Sequence, residues 1–315
     1  MLFKKKMIIV LISILIALTI IGIVCCCNYE DNKNDNTQAN IDFIINDTLS
    51  DGNNQKVKIF LLAGQSNASG IASENILKDK ISEDDYNKYK VGYDNVYINY
   101  YNDNGNNKSL GFTNVKLGQG FDSEYFGPEL GMGERLSELY KDETIFIIKY
   151  TWSATNLHTQ WNCEYGNVYK AFIQFVRESM EYLRSKNYDA EIVSMMWMQG
   201  ESDSNKSNAT KYYKNLVNMI KSTRSDLAKY IVNKGMFFVD AYISNSPYWS
   251  SYKIVNAAKK KVCDLNELNL CIDTIKEGLT YNKEPVDNPD LCHYDSLSEL
   301  KLGHLFIETY DFASK

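Results

Sequence analysis

Ser66 lies in "LLAGQSNASG", residues 61–70, where an apolar run gives way to the uncharged polar trio Gln65, Ser66 and Asn67. A serine hydroxyl attacks an ester only when a base takes its proton, a further group orients that base, and N–H donors meet the oxyanion that forms. Bases are scarce here, because the histidines are His158, His293 and His304 alone. His293 closes the stretch "DLCH" at 290–293, and of the three it alone has an acid three residues earlier on an expected loop. Asp290 can there accept the Nδ1 proton of His293 and leave Nε2 facing Ser66. His304 shares one helical stripe with Leu297, Leu300 and Ile307, which is the placing of a core or boundary residue. His158, in "TWSATNLHTQW", can line a pocket or cap a loop. Taken alone, Ser and Asn after a strand also serve to satisfy their own turn, so the remaining chain must decide.

From Val57 onward, short apolar runs alternate with longer segments of helical period, the pattern of a parallel sheet covered on both faces. "VKIFLLA", "TIFIIKY", "EIVSMMWM" and "MFFVDAYI" are the expected strands. Val168, Phe172, Phe175, Val176, Met180 and Leu183 mark one face of a helix, and further helices are expected over 210–231 and 296–312. "YYNDNGNNKSLG", 100–111, reads as a polar surface loop. In such a sheet the loops leaving the carboxyl ends of the strands line the ligand crevice. Four polar groups fall where these loops belong: the box around Ser66, "FGPE" at 126–129 before a helix, "WMQGESD" at 197–203 after a strand, and "DLCH" before the last helix. A nucleophile elbow of the α/β-hydrolase kind is disfavoured, since only one core strand precedes Ser66.

"GQSN", "FGPE", "WMQGESD" and "DLCH", in this order from Val57 to the C-terminus, resemble the SGNH hydrolase superfamily, and within it the carbohydrate esterase family 6 and sialate O-acetylesterase group. The resemblance implies an α/β, flavodoxin-like three-layer sandwich around a central parallel sheet. It also implies hydrolysis of acetyl esters on sugars with neither metal nor organic cofactor. Carried across by motif, Ser66 is the nucleophile, His293 the base and Asp290 its orienter. The oxyanion hole is expected from the backbone N–H groups of Ser66 and Gly127 and the side-chain amide of Gln199. Gln65, Asn67 and Glu201 are expected in support, Glu201 bracing Gln199 or the pocket floor. Two departures border the pocket: Ala68 stands where relatives commonly carry Met, and "TWSATNL" replaces a more glycine-rich stretch. Both bear on the substrate more than on the reaction.

The chain has 315 residues and opens with "MLFKKKMIIVLISILIALTIIGIVCCC", three lysines before an apolar stretch long enough to cross a bilayer. Residues 1–27 are thus expected to be a signal peptide or membrane anchor, with Cys25, Cys26 and Cys27 leaving a lipidated form open. Residues 28–55 read as a polar linker and 56–315 as the hydrolase domain, exported to the outer face of the membrane or secreted. All 40 acidic residues but only 31 of the 34 Lys and Arg follow residue 27, a net charge of −9 that argues against a nucleic-acid partner. Export permits disulfides among Cys163, Cys263, Cys271 and Cys292 without assigning them. The expectation is therefore an esterase acting on an acetylated carbohydrate, with Trp152, Trp161 or Trp249 as sugar-facing aromatics. The alternatives are a non-catalytic glycan-binding protein on the same scaffold or an esterase for non-carbohydrate esters.

Overall fold

The computed structural model describes residues 43–315, so the apolar segment 1–27 and the first part of the expected linker lie outside the described residues. Six parallel strands form the frame: β1 (Lys56–Gly64), β2 (Val96–Asn102), β3 (Ile145–Thr151), β4 (Asp189–Met198), β5 (Phe237–Ala241) and β6 (Asn269–Ile272). Their order across the sheet is β6-β5-β4-β1-β3-β2, and two short antiparallel strands at 107–108 and 113–114 finish the β2 edge. The first strand in sequence is therefore central. Beyond Lys56 and Lys58 every residue of β1 is buried, as a strand covered on both faces must be.

Side-chain alternation assigns the layers. Phe60 and Lys149 point to the face covered by α1 (Pro128–Leu139) and α5 (Ser296–Ser314), where Phe60 meets Tyr310 edge-on at 5.0 Å and Lys149 pairs with Glu129. Tyr150 and Trp197 point to the opposite face, against α2 (Asn167–Ser185) and α3 (Lys206–Asp226), with α4 (Tyr252–Cys263) packed beside α3. This is the expected three-layer α/β/α sandwich. Helices α1 and α5 approach so closely that a Cβ on Gly131 would lie 2.0 Å from the Leu300 carbonyl oxygen, and one on Gly303 2.1 Å from that of Pro128.

The four expected strands and three expected helices are all present, the 210–231 helix running from 206 to 226 before a single 3-10 turn at 228–230. Two readings change. "YYNDNGNNKSLG" is not all surface loop: Tyr100, Tyr101 and Asn102 end β2 and are buried, Tyr101 stacking on Tyr150 at 5.7 Å. The 43–55 part of the linker lies on the domain, because Phe43 is buried edge-on against Tyr101 and Phe175. The same segment bonds to α2 and its end, Asp47 accepting from the Tyr182 hydroxyl and Gly52 N–H donating to the Lys186 carbonyl. Cys263 and Cys271 form a disulfide that joins the end of α4 to β6.

Candidate active site

At the carboxyl end of β1 the chain must turn sharply beside β4. Gly64 has φ +147° and lies so near the Met198 carbonyl that a Cβ would come within 1.9 Å of its oxygen, so the glycine before Gln65 is required. Gln65 N–H donates to that same carbonyl at 3.0 Å and caps a single helical turn, Ser66–Ser69. The Gln65 side chain faces the 199–205 loop, where its oxygen accepts from Gln199 Nε2 at 3.3 Å and Ser202 N–H at 3.2 Å. As the first residue of the turn, Ser66 carries a backbone N–H that the turn itself cannot satisfy.

Beneath Ser66 the turn is pinned from below. Ser69 Oγ donates to Thr151 Oγ1 at 2.7 Å, and Thr151 donates on to Asn102 Oδ1 at 2.9 Å. Lys149 donates to the Ser69 carbonyl at 2.8 Å and to Glu129 at 2.7 Å, both ionic side chains being fully buried. Burial pushes the Lys149 pKa down, with the Glu129 carboxylate opposing.

His293 arrives at this turn from the far end of the chain, and Asn67 is what receives it. Asn67 Oδ1 accepts the Tyr294 N–H at 3.0 Å, and its Nδ2 donates to the Cys292 carbonyl at 3.4 Å. The residue after Ser66 thus holds both neighbours of His293. His293 Nδ1 lies 2.6 Å from Asp290 Oδ2, the contact in which an Nδ1–H donates to the carboxylate and Nε2 is left as acceptor. Burial works against ionisation of Asp290. The hydrogen bond and charge of His293 and the N–H groups of Cys292 and His293 outweigh it, holding the carboxyl below its ordinary range. Asp290 is therefore a carboxylate at neutral pH.

The supporting residues are placed less as expected. Glu201 is buried and accepts from Asn67 Nδ2 at 2.7 Å, so it braces the nucleophile turn rather than Gln199. Burial pushes its carboxyl up, and its Oε2 has no partner. Gln199 is fully buried, and its Nε2 donates to Asp203 at 2.7 Å, the Thr155 carbonyl at 3.1 Å and Gln65 at 3.3 Å. Three acceptors already surround its two amide hydrogens, so none is offered to an oxyanion in this arrangement. The Gly127 N–H is likewise taken, donating to Glu129 Oε1 at 2.7 Å at the start of α1. Ser66 N–H, at the start of its turn, has no acceptor among the described residues.

Asp203 was not singled out from the sequence, although it stands four residues after Gln199 in the same motif. It accepts from Gln199 and from the Leu157 N–H at 2.8 Å, and burial raises its pKa to about 6. An acid whose folded pKa lies above its unfolded value binds an extra proton in the fold between the two, so its contribution to stability falls as pH rises from about 4 to about 6. Asp203→Asn cannot titrate. The stability difference between wild type and this variant, from urea midpoints, is expected to drift in the variant's favour by roughly 3 kcal/mol across that window. A difference independent of pH would contradict the assignment.

Of the other two histidines, His304 is, as expected, a boundary residue between helices. His304 Nε2 meets Glu134 at 2.8 Å between α5 and α1, and His158 Nε2 meets Lys211 at 3.2 Å; neither bonds to the Ser66, His293 or Asp290 group. Trp161 is core, fully buried and edge-on to Trp197 at 4.9 Å, whereas Trp152 and Trp249 are half-buried on the crevice loops. Among the described residues no group of three or more His, Cys, Asp or Glu is arranged to hold a metal ion.

Comparison with known proteins agrees with this frame. In solved structures the fold is similar to that of an Arabidopsis thaliana protein, at 19% identity and a TM-score of 0.58, covering 81% of this chain and 98% of that one. It is also similar to NanS, at 12% identity and a TM-score of 0.57, over 85% and 98% of the two chains. A carbohydrate acetylesterase from Xanthomonas citri matches at 12% identity and a TM-score of 0.51, over 79% of this chain and 54% of that one. No curated protein matches the sequence. Residues 56–311 match the family described as carbohydrate esterase, sialic acid-specific acetylesterase. With that match covering most of its length, the chain belongs to this acetylesterase family and is a carboxylic ester hydrolase.

Proposed function

We propose that the protein is an exported serine esterase that removes O-acetyl groups from a carbohydrate by a Ser66–His293–Asp290 mechanism. The observation that carries this is the bonding of Asn67 to both neighbours of His293, which ties the base to the turn that presents Ser66. His293 Nε2 takes the Ser66 proton as Ser66 Oγ attacks the acetyl carbonyl. The tetrahedral oxyanion meets the Ser66 N–H at the start of the helical turn. Collapse expels the sugar hydroxyl, which takes its proton from His293. Water, activated by the same imidazole, then releases acetate from the acyl-serine. Gly127 and Gln199 add further donors only by exchanging their present partners, Glu129 and Asp203.

Export rests on the lysine-flanked apolar segment at the N-terminus, which also supplies a membrane anchor if retained, and on the Cys263–Cys271 disulfide, a bond favoured in oxidising compartments. Recovery of the intact chain from cytosol would reject it. The catalytic reading is tested by incubating the full-length protein with an acetylated chromogenic ester and a panel of acetylated glycans and measuring released acetate. Release is expected from both. Glycan binding without acetate release would instead establish a retired, glycan-binding scaffold.

A further inference from the structure

Beyond the end of the sheet's β5–β6 edge lies a pocket of about 310 Å³ lined by Ser244, Asn245, Thr274, Leu279, Thr280 and Asn282, together with Ile275, Gly278 and Tyr281. None of these side chains is a carboxylate, ammonium, guanidinium or imidazole. The Ser244 hydroxyl is buried without a partner, on a residue only 5% exposed. The amides of Asn245 and Asn282 have no partner among the described residues. A buried hydroxyl without a hydrogen bond is costly unless a ligand or water completes it. Two open amides beside it, next to apolar Leu279, offer the neutral donors and acceptors that sugar hydroxyls need.

The pocket wall is tied to the catalytic loop through Tyr294. Tyr294, the residue after His293, donates its hydroxyl to Thr274 Oγ1 at 3.0 Å, and Thr274 donates to the Tyr242 carbonyl at 3.0 Å. Thr274 is pocket wall, and Tyr294 N–H is the group Asn67 holds. Tyr294 thus bridges the two, its backbone bonded to the Ser66 turn and its hydroxyl to the pocket wall. The spacing is too great for a single ring, however: the pocket follows β5 and β6, the second and third strands along from β1, so it stands roughly 10 to 14 Å from the nucleophile's strand.

Resting on the proposed esterase function, we infer that this pocket is a subsite for a second, uncharged sugar ring of an acetylated oligosaccharide. A sialic acid ring seated here would leave its carboxylate without a cation, so the ring this lining suits is a neutral one.

The test compares the wild-type protein with the double variant Asn245→Ala/Asn282→Ala, whose exposed side chains hold nothing in the fold. The substrates are acetylated xylotetraose and O-acetylated chitotetraose, with acetylated methyl xyloside as a one-ring control, O-acetylated sialic acid as the charged one, and p-nitrophenyl acetate as a reporter of the chemistry alone. Wild type is expected to favour a tetrasaccharide over the one-ring ester at least tenfold in kcat/KM. The double variant is expected to lose that preference through KM while hydrolysing p-nitrophenyl acetate at the wild-type rate. An unchanged preference in the variant, an equal loss on p-nitrophenyl acetate, or a wild-type preference for the sialic acid ester would each overturn the subsite. If no ester is hydrolysed, the esterase reading fails on its own, and calorimetry with unacetylated xylotetraose and chitotetraose still decides the pocket. Binding lost in the double variant supports it, and absence of binding to wild type overturns it.

Discussion

Replacing Ser66 by alanine is expected to lower acetate release by roughly a thousandfold or more while leaving the fold intact. The size of the effect follows from what remains. Without the hydroxyl no acyl-enzyme forms, and only the backbone N–H at the turn and the binding surface are left to assist attack by water. The fold survives because Ser66 contributes backbone, not side chain, to its turn: Gly70 N–H donates to the Ser66 carbonyl at 2.8 Å, and the turn is pinned through Ser69 and Lys149. Circular dichroism and melting temperature should therefore match wild type. Intact-protein mass spectrometry after rapid quenching should show an acetyl adduct in wild type and none in the variant. Wild-type turnover in the variant would sink the mechanism.

How much of this site the sequence could carry differs residue by residue. The contact of Asp290 with His293 was legible because it is local, an acid three residues before a histidine, whereas Ser66 stood out only through the order of four motifs along the chain. The strands of the sheet's centre were legible because burial on both faces writes them as unbroken apolar runs. The outer strands β2 and β6 were not among the expected ones, and the end of β2 read as a loop because Tyr100, Tyr101 and Asn102 are buried through stacking and amide bonding, which hydrophobic pattern does not register. Lys259, the first of three consecutive lysines in α4, is fully buried against Asp240 for a similar reason; its partner lies on another element. Gln199 and Gly127 show the converse limit. Their residue types suit an oxyanion hole, but Asp203 and Glu129 already hold their donors, and no motif encodes who reaches a donor first. The role of Asn67 depends on residues more than two hundred positions away, so only the folded chain reveals it.

Which carboxylate serves His293 decides the largest remaining difference between two variants. Asp290 Oδ2 lies 2.6 Å from His293 Nδ1, and its other oxygen accepts the Cys292 N–H at 2.8 Å, so the loop presents the carboxylate to the imidazole in one orientation. Asp290→Asn keeps this shape but removes the charge that stabilises the imidazolium, and its amide N–H can face Nδ1 and enforce the wrong tautomer. A loss of about four orders of magnitude in turnover is expected. Glu201 stands differently: its bond is to Asn67, its second oxygen has no partner, and burial favours its neutral form. Glu201→Gln keeps an oxygen for Asn67 Nδ2, so it acts through the side chain that holds the neighbours of His293. About a ten- to hundredfold loss is expected, the usual cost of an orienting group. The two variants should also differ in kind. Asp290→Asn lowers kcat with KM nearly unchanged, because the imidazolium forms only as the reaction proceeds. Glu201→Gln, which weakens the bond that holds the turn, is expected to move both parameters. Turnover and KM for the two, with circular dichroism to confirm folding, settle the assignment: a larger loss in kcat at Glu201 than at Asp290 would make the buried glutamate the partner of the base.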